Sequence, residues 1–334
     1  MNIPSQSNRD VTVIVRSVRE RTTDTCLALL AGQVPADQLF VVEARPFSES
    51  LRQSFELGMA QKRRWTLCVD ADVLPASNAV EVLLREADIL PVRFAELEGL
   101  IIDKLFGGAR AAGNHLYRTA LLPLAMEQLG EAADQVRPEA FTIARLQKRG
   151  HPWKLIPQVF GLHDFEQSHR DLFRKCYVHA HKHEEWLHHL VRYWRRMARQ
   201  DDDFDAALRG LAAGIAYRGQ VKVDADDAWM NQCWQTLGDG CENKPDLKAG
   251  ALSAVEVDRL VAAFQEAPEF REMFPQAFDL LRKQSRLGRF RQARARLGFV
   301  GALRWMAGDS LMTLGRMLRE AASKRTSRKT LDRS

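Results

Sequence analysis

Residues 65–72 read Trp-Thr-Leu-Cys-Val-Asp-Ala-Asp, an apolar run that ends abruptly in two acids. Two shorter β-branched runs precede it, at residues 11–15 and 39–42, and helical patterns separate the three runs. This alternation of strand and helix is typical of a parallel α/β sheet. Because such sheets bind ligands beyond the carboxyl ends of their strands, the sequence predicts a ligand site where Asp70 and Asp72 lie.

Asp70 and Asp72 stand one residue apart at the predicted strand end. In an extended chain such residues point to the same side, with their Cα atoms about 6.6 to 7 Å apart. Both carboxylates can therefore reach one divalent ion, and Mg²⁺ is commonly held by one or two carboxylates together with substrate phosphates. The alternative is a structural pair with a cationic partner. A second Asp-x-Asp at residues 224–226, with Asp227, precedes a helical pattern, so we interpret these acids as a helix cap and first-turn acids.

The composition is that of a soluble globular protein. The chain has 334 residues, of which 46% are hydrophobic and 28% charged, which excludes a disordered chain, a collagen-like chain and a coiled coil. Neither a signal peptide nor an apolar run of eighteen residues is present. The five cysteines are widely spaced and form no Cys-x-x-Cys pair. We therefore expect a cytoplasmic protein whose cysteines are small core residues.

The strand-like runs nearly cease after Asp171, and helical patterns follow. We therefore predict three regions, with the sheet in residues 1–175, a mostly helical region in 176–280 and a basic tail in 281–334. In the second region His179 and His183 share one helix face, a spacing that a metal would accept. Without a cysteine or a His-Glu-x-x-His pattern, we interpret this face as solvated and partly charged.

The predicted tail differs from the rest of the chain in charge. Residues 282–334 carry 15 Lys/Arg and 3 Asp/Glu, a local charge of +12, whereas the whole chain carries +6. Apolar side chains near Trp305 share a helical stripe among these arginines. This pattern predicts either a basic amphipathic segment on an anionic membrane surface or a helix docked on the body. Basic charge without a known module does not indicate nucleic-acid binding.

Polar motifs accompany the three strands and continue to residue 163 in a characteristic order. The motifs are Arg16-Ser17 and Glu43 at strand ends, Arg52 in a helix, Asp70-x-Asp72, Gly113-Asn114, Arg137-Pro138-Glu139 at a helix start, and residues 159–163 ending in His163. This order resembles the nucleotide-sugar-dependent glycosyltransferases of the GT-A fold, and is similar to their family-two group. The resemblance covers about residues 10–165, half the chain.

The resemblance implies a GT-A catalytic domain, Rossmann-like, with a mainly parallel sheet flanked by helices. It implies a hexosyl or related transferase that uses a nucleoside-diphosphate sugar donor and a glycan or lipid-linked acceptor, in the building of a surface polysaccharide. The implied donor and nucleotide contacts are Arg16, Ser17, Glu43, Arg52, Asp70, Gly113 and Asn114. Asp72 and His163 would bind Mn²⁺ or Mg²⁺, and Glu139 would be the base that takes the proton of the acceptor hydroxyl.

Two departures from the family-two pattern keep other interpretations open. Glu139 stands alone where two adjacent acids are frequent, and Glu43 stands where a pair of aspartates is frequent. Each of these residues also has a structural interpretation. Glu139 is then an ordinary acid in the first turn of a helix, and His163 is a buried histidine at a strand end. Glu43 and Arg52 are then surface charges. Two rival functions are a phosphatase, because residues 69–72 also resemble the nucleophile loop of haloacid-dehalogenase-like enzymes, and a GT-A-like domain that binds nucleotide without turnover.

Overall fold

The computed structural model describes residues 10–266, except 134, 184–185, 223–225, 238–243, 246 and 249. Strands and helices alternate through the first part of this range, and helices alone follow. The strands are β1 (Val11–Ser17), β2 (Leu39–Glu43), β3 (Trp65–Asp70), β4 (Val73–Pro75), β5 (Glu96–Asp103), β6 (Gly108–Ala111), β7 (Asn114–Arg118) and β8 (Trp153–His163). The helices are α1 (Thr23–Ala31), α2 (Phe47–Gln61), α3 (Ala79–Asp88), α4 (Leu122–Met126), α5 (Leu129–Ala132), α6 (Pro138–Lys148), α7 (His169–Lys182), α8 (Leu187–Met197), α9 (Asp203–Ala216), α10 (Ala228–Leu237) and α11 (Ala254–Glu266).

One sheet has the strand order β2-β1-β3-β7-β5-β8-β4, with β6 paired to β5. β1 is parallel to β2 and β3, and β5 is parallel to β8, whereas β7 runs antiparallel between β3 and β5. The predicted α/β class is therefore confirmed, with a mixed sheet. Because β7 runs opposite to both of its neighbours, β3 and β5 run in the same direction. The strands β1, β2, β3, β5 and β8 therefore all end at the same edge of the sheet, and β7 begins there.

Some local predictions differ from the structure. The sequence of residues 89–94 predicts a strand after α3, and this prediction is wrong, because α3 ends at Asp88 and the next strand, β5, begins only at Glu96. β5 contains three acids, so it does not appear as an apolar run, although all of its residues are buried. The glycine-rich residues 106–113 predict a loop, but they contain β6, and residues 114–117, expected to lead into a helix, belong to β7.

The main hydrophobic core lies between the sheet and the helices α1 and α3. Val13 and Leu67, on β1 and β3, are fully buried there, together with Leu30 of α1 and Leu83 of α3. Burial of one such side chain contributes about 1.5 to 3 kcal/mol. The β-branched runs therefore form the buried strands that the sequence predicts. Four of the cysteines are free and buried, as predicted, and Cys241 lies outside the described residues.

A second core forms where α7, α8 and α9 pack together. α7 and α9 approach so closely that a Cβ atom at Gly210 would lie 2.1 Å from the carbonyl oxygen of Phe173, and one at Gly214 would lie 2.3 Å from that of Tyr177. Only glycine permits this contact, so α7 is fixed in place on α9. All regular elements described from His169 onward are helical, in agreement with the predicted helical region.

The division of the chain at about residue 175 stays a prediction, and the predicted tail, 281–334, lies outside the described residues. Among the helices that are described, none combines the length and the apolar character needed to cross a bilayer. The interpretation of the second acidic motif is confirmed where it is described. Asp227 caps α10, because its carboxylate accepts a hydrogen bond from the amide of Met230 at 2.7 Å. Residues 224 and 225 lie outside the described part.

Candidate functional site

The carboxyl ends of the strands collect polar side chains at one edge of the sheet. Arg16 of β1 is in register with Asp70 of β3, and Asp103 of β5 is in register with His163 of β8. Asp72 lies in the short turn between β3 and β4, and β4 pairs Val73 with His163. The side chains form two groups, one around Arg16 and one around His163.

Arg16 is the centre of the first group and is 3% exposed. Its Nε donates to Oδ1 of Asp70 at 2.9 Å, and its two terminal nitrogens donate to the two carboxylate oxygens of Glu139 at 2.7 and 3.1 Å. The guanidinium also lies 5.1 Å from the centre of the Phe47 ring. Because a guanidinium is planar, these contacts fix Asp70 relative to α6, which begins at Pro138 with Glu139 in its first turn.

Both oxygens of Glu139 have further donors. The Tyr117 hydroxyl donates to Oε1 at 2.6 Å, and Nε2 of His115 lies 3.0 Å from Oε2. Burial alone would raise the pKa of Glu139, but the charges of Arg16 and His115 outweigh burial and hold this pKa well below its usual range. A carboxylate held this way is a weak proton acceptor. The base role of Glu139 stays a prediction, while its contacts give it a clear part in holding Arg16.

His115 connects the first group to buried acids of β5. Its Nδ1 lies 2.5 Å from Oε1 of Glu96, and the ligand atoms of Glu96, Glu98 and His115 lie within 4.8 Å of one another. A metal would need a free imidazole nitrogen, and Glu96 and Glu139 engage both nitrogens of His115, so this cluster does not fit a metal. Burial, opposed by His115 and reinforced by Glu96, raises the pKa of Glu98 to about 8.

The second group consists of Asp72, His163 and Asp164, all buried, with ligand atoms within 4.8 Å of one another. Nε2 of His163 lies 3.5 Å from Oδ1 of Asp72, and its Nδ1 lies 3.0 Å from Oδ2 of Asp103 and 3.1 Å from Oδ2 of Asp164. The Lys175 ammonium, from α7, contacts both Asp72 and Asp164. The sequence predicted Asp72 and His163 as a pair, and the structure brings these two together.

The donor atoms of this second group fit a divalent cation. Oδ1 of Asp72 and Oδ2 of Asp164 are buried and accept no hydrogen bond from the described residues. Once Nε2 of His163 has lost its proton, Nδ1 can still donate to Asp103 while the lone pair of Nε2 lies on the side of Asp72, and such a carboxylate behind the histidine is usual at metal sites. Burial would lower the pKa of His163, but Asp164, Asp72 and Asp103 raise it to about 10. The His163 ring is therefore protonated while no metal is bound. A divalent ion held by the two carboxylates and the imidazole would replace the proton on Nε2 and the Lys175 ammonium.

Ser17 and Glu43 occupy the outer end of the same edge, where they are in register. Ser17 is buried, and its hydroxyl lies 2.9 Å from Oε2 of Glu20 and 2.9 Å from the hydroxyl of Thr23. Glu43 is half exposed and accepts a hydrogen bond from Nε of Arg19 at 3.1 Å. Burial and the charge of Asp72 raise the pKa of Glu20, an acid that was missed in the sequence.

Arg52 does not join either group by the contacts that it makes. On α2 it pairs with Glu49 and Glu56, one turn before and one turn after it on the same helix. The pair with Glu56 is half exposed on both sides, and such pairs are worth little stability. These contacts match the alternative of a surface charge, and the predicted nucleotide contact stays a prediction.

Asn114 begins β7, and Gly113 directly precedes it next to Asp70. The amide of Asp70 donates to the carbonyl of Gly113 at 2.9 Å. Gly113 has φ of +66°, and a Cβ atom there would lie 2.6 Å from Cγ2 of Val73, so the position requires glycine. The Asn114 side chain is fully buried, accepts from the amide of Gly99 at 2.8 Å and donates to its carbonyl at 3.1 Å. Its amide therefore joins β7 to β5 within the sheet.

His179 near the end of α7 and His183 just after it are buried, so the predicted solvated face is wrong for these two residues, whereas His188 and His189 are exposed. His179 and His183 are 7% and 8% exposed, and their rings meet the Phe106 ring edge to face at 5.4 and 5.0 Å. Burial, with the charges of Lys182 and Arg110, lowers the pKa of His179 to about 3. The helical spacing did identify the shared face, but the sequence does not tell which neighbour covers it.

No protein-family model and no curated protein matches this chain. Among solved structures, the mannosyltransferase PcManGT from Pyrobaculum calidifontis, in complex with GDP-Man and Mn²⁺, has a TM-score of 0.38 and 14% identity, over 81% of this chain and 85% of that one. A glycosyltransferase involved in glycosylation of the major capsid of PBCV-1 has a TM-score of 0.32 and 12% identity, over 44% and 82%. A putative nucleotide-diphospho-sugar transferase from Desulfovibrio desulfuricans G20 has a TM-score of 0.32 and 9% identity, over 62% and 96%. At these scores the likeness decides nothing about substrate or metal, which must be argued from the side chains.

Proposed function

We propose that this chain is a glycosyltransferase that moves a sugar from a nucleoside-diphosphate sugar to a hydroxyl of a glycan or a lipid-linked acceptor. The observation that supports this function is the different environment of Asp70 and Asp72 at one strand end. Asp70 keeps 29% of its side chain exposed while one of its oxygens is held by Arg16. Asp72 is buried and belongs to the second group, with His163 and Asp164. One strand end thus offers a carboxylate for the donor and another for a cation.

The chemistry of the transfer accounts for both groups. Departure of a nucleoside diphosphate leaves negative charge on phosphate oxygens, and a cation held close by stabilises that charge where it develops. Asp72, His163 and Asp164 would hold Mn²⁺ or Mg²⁺, and the bound ion would supply this stabilisation. Asp70, oriented by Arg16, is placed to contact the hydroxyls of the donor sugar or ribose.

In this proposal Glu139 acts mainly as a positioning residue. Its two oxygens are engaged by Arg16, Tyr117 and His115, so it holds the guanidinium that in turn orients Asp70. The same engagement favours a second candidate function, a domain that binds a nucleotide-sugar without transferring the sugar. No contact among the described residues favours the phosphatase, because Asp70 ends the third strand of the chain and pairs with an arginine.

The proposed function is tested by following the release of nucleoside diphosphate from a panel of nucleotide-sugars with Mn²⁺ or Mg²⁺. We expect turnover or slow donor hydrolysis with one donor, loss of at least about 100-fold in Asp72→Ala, and wild-type rates in Asp226→Ala. Asp226 is the matched control, an acid of the second Asp-x-Asp that is half exposed and pairs with Arg45 at 3.5 Å. Equal rates in the two variants would contradict the site, and donor binding without any release would favour the non-catalytic domain.

The acceptor side of the proposal includes the basic tail. Binding of residues 282–334 to an anionic membrane would bring a lipid-linked acceptor to the enzyme on the cytoplasmic face. The local charge of +12 and the apolar stripe support this role.

A further inference from the structure

Lys175 places a cationic group directly on the acids that would hold the metal. Its ammonium contacts Oδ2 of Asp72 and Oδ1 of Asp164, and its side chain is 14% exposed. The two acids come from different loops, one after β3 and one after β8. A single ammonium thus joins the two carboxylates that the transferase proposal reserves for a cation.

The position of Lys175 is set by the packing of α7. Leu172 and Cys176, on the same helix, are fully buried in the second core. The close approach of α7 to α9 at Gly210 prevents the helix from sliding, and the Ser168 hydroxyl caps its first turn by accepting from the amide of Asp171 at 3.1 Å. The backbone therefore holds the base of the lysine side chain opposite the acids, and only the flexible stem of the lysine can move the ammonium away.

The ammonium satisfies only part of the site. Oδ1 of Asp72 and Oδ2 of Asp164 still accept no hydrogen bond from the described residues. The ring of His163 lies beside both oxygens, with Nε2 3.5 Å from the first and Nδ1 3.1 Å from the second. Three donor atoms that suit a divalent ion therefore remain beside the lysine. An ion bound to them would lie next to the ammonium in a buried region, where like charges repel strongly.

We propose that Lys175 and a divalent metal ion are mutually exclusive partners of Asp72 and Asp164, so that Lys175 sets the metal affinity of the site. The lysine keeps the two buried carboxylates paired while no metal is bound, and it must withdraw when a metal binds. The competition itself concerns these side chains alone. When no metal is bound, the same ammonium would also offset the charge of a bound diphosphate. This second role rests on the proposed function.

The competition is tested by titrating Mn²⁺ into the full chain and measuring free Mn²⁺ by electron paramagnetic resonance. Lys175→Met removes the ammonium and keeps the length of the side chain. We expect Lys175→Met to bind Mn²⁺ at least about tenfold more tightly than wild type, and Lys175→Arg to bind it no more tightly than wild type. Equal or weaker Mn²⁺ binding by Lys175→Met would overturn the proposal.

Lys148→Met is the net-charge control, because Lys148 is an exposed lysine at the end of α6 and no contact in the described part of the chain joins it to either acid. If it raises the Mn²⁺ affinity as much as Lys175→Met does, the effect is one of net charge and the proposed competition is wrong. Removal of the ammonium leaves two buried carboxylates unpaired, so Lys175→Met is also melted with and without Mn²⁺. We expect Mn²⁺ to raise its melting temperature more than that of wild type, and an equal rise would contradict the proposal even for a destabilised variant.

The same variants separate this proposal from the transferase proposal. Nucleoside diphosphate binding is measured in each variant with Mn²⁺ and with a chelator. We expect wild type to keep part of its binding in the chelator and Lys175→Met to lose it. If no variant binds any nucleotide while the Mn²⁺ affinities differ as expected, the transferase proposal fails and the competition stands.

Discussion

Arg16 donates to both carboxylate oxygens of Glu139, at 2.7 and 3.1 Å, and through this pair β1 is tied to the first turn of α6. Both side chains are almost completely buried, at 2% and 9% exposure. Breaking a buried ion pair on one side leaves a charge without a partner and costs about 3 to 5 kcal/mol. Glu139→Gln should therefore destabilise the fold by about this amount, measured by urea unfolding. Glu43→Gln, at a half-exposed pair, should change stability by less than about 1 kcal/mol.

The same variant separates the two roles of Glu139. A base that is not structural would lose turnover in Glu139→Gln while the unfolding free energy stayed within about 0.5 kcal/mol of wild type. A positioning residue would lose both, and the loss of turnover would be accompanied by weaker donor binding through Asp70. We expect the second result.

The contribution of Glu98 to the free energy of unfolding should be larger in mild acid than at pH 8. Burial raises its pKa to about 8 in the folded state, whereas the unfolded chain has the ordinary value of about 4.3. Its contribution is thus fully present below the unfolded pKa and is lost as the pH rises through the folded pKa. Glu98→Gln keeps a neutral side chain at every pH, so it should gain stability over wild type between pH 5 and pH 8. A constant difference across this range, measured by urea unfolding, would disprove the raised pKa.

His179 should act in the opposite direction. Burial lowers its pKa to about 3, so the unfolded chain takes up a proton below about pH 6.5 while the folded chain does not. The contribution of His179 to the free energy of unfolding is fully present above pH 6.5, and it falls by about 2 kcal/mol on acidification to pH 5. His179→Phe should remove this part of the pH dependence, whereas the exposed His188→Phe should leave it as in wild type. Parallel stability curves for the two variants would show that His179 is not buried as described.

The tail prediction concerns residues outside the described range. Deletion of residues 282–334 removes a charge of +12, and we expect it to abolish sedimentation with vesicles of anionic lipid at low salt. Vesicles of neutral lipid serve as the control, because they should bind neither form. Unchanged binding of the truncated chain to the anionic vesicles would contradict the membrane role.

The sequence predicted the first three strands and the acids that follow the third, because an apolar run with a polar end is a local pattern. It predicted Asp72 and His163 together through the family resemblance, and the two do meet. Asp164 was missed although it directly follows His163. One chain position does not tell whether a loop acid turns toward or away from the site.

Lys175 and β5 could not be predicted for different physical reasons. Lys175 belongs to a helix whose placement depends on the contact of Gly210 with Phe173, far away in sequence. Glu96 and Glu98 gave β5 the appearance of an exposed segment. Inside the sheet Glu96 has its partner His115 on β7, and the pKa of Glu98 is raised to about 8 by burial. In both cases a buried charge is stabilised by a residue that the local pattern does not contain.

The measurement that tests the central claim most directly is a thermal-shift screen of the full chain against nucleoside diphosphates, each with Mn²⁺, with Mg²⁺ and with a chelator. A ligand that binds the folded state alone raises the melting temperature by mass action. If Asp70 and Asp72 form a donor site, one nucleoside diphosphate should raise the melting temperature most in the presence of metal, and Asp72→Ala should lose this rise while Asp226→Ala keeps it. No rise with any nucleoside diphosphate, or the same rise in Asp72→Ala as in wild type, would contradict the claim.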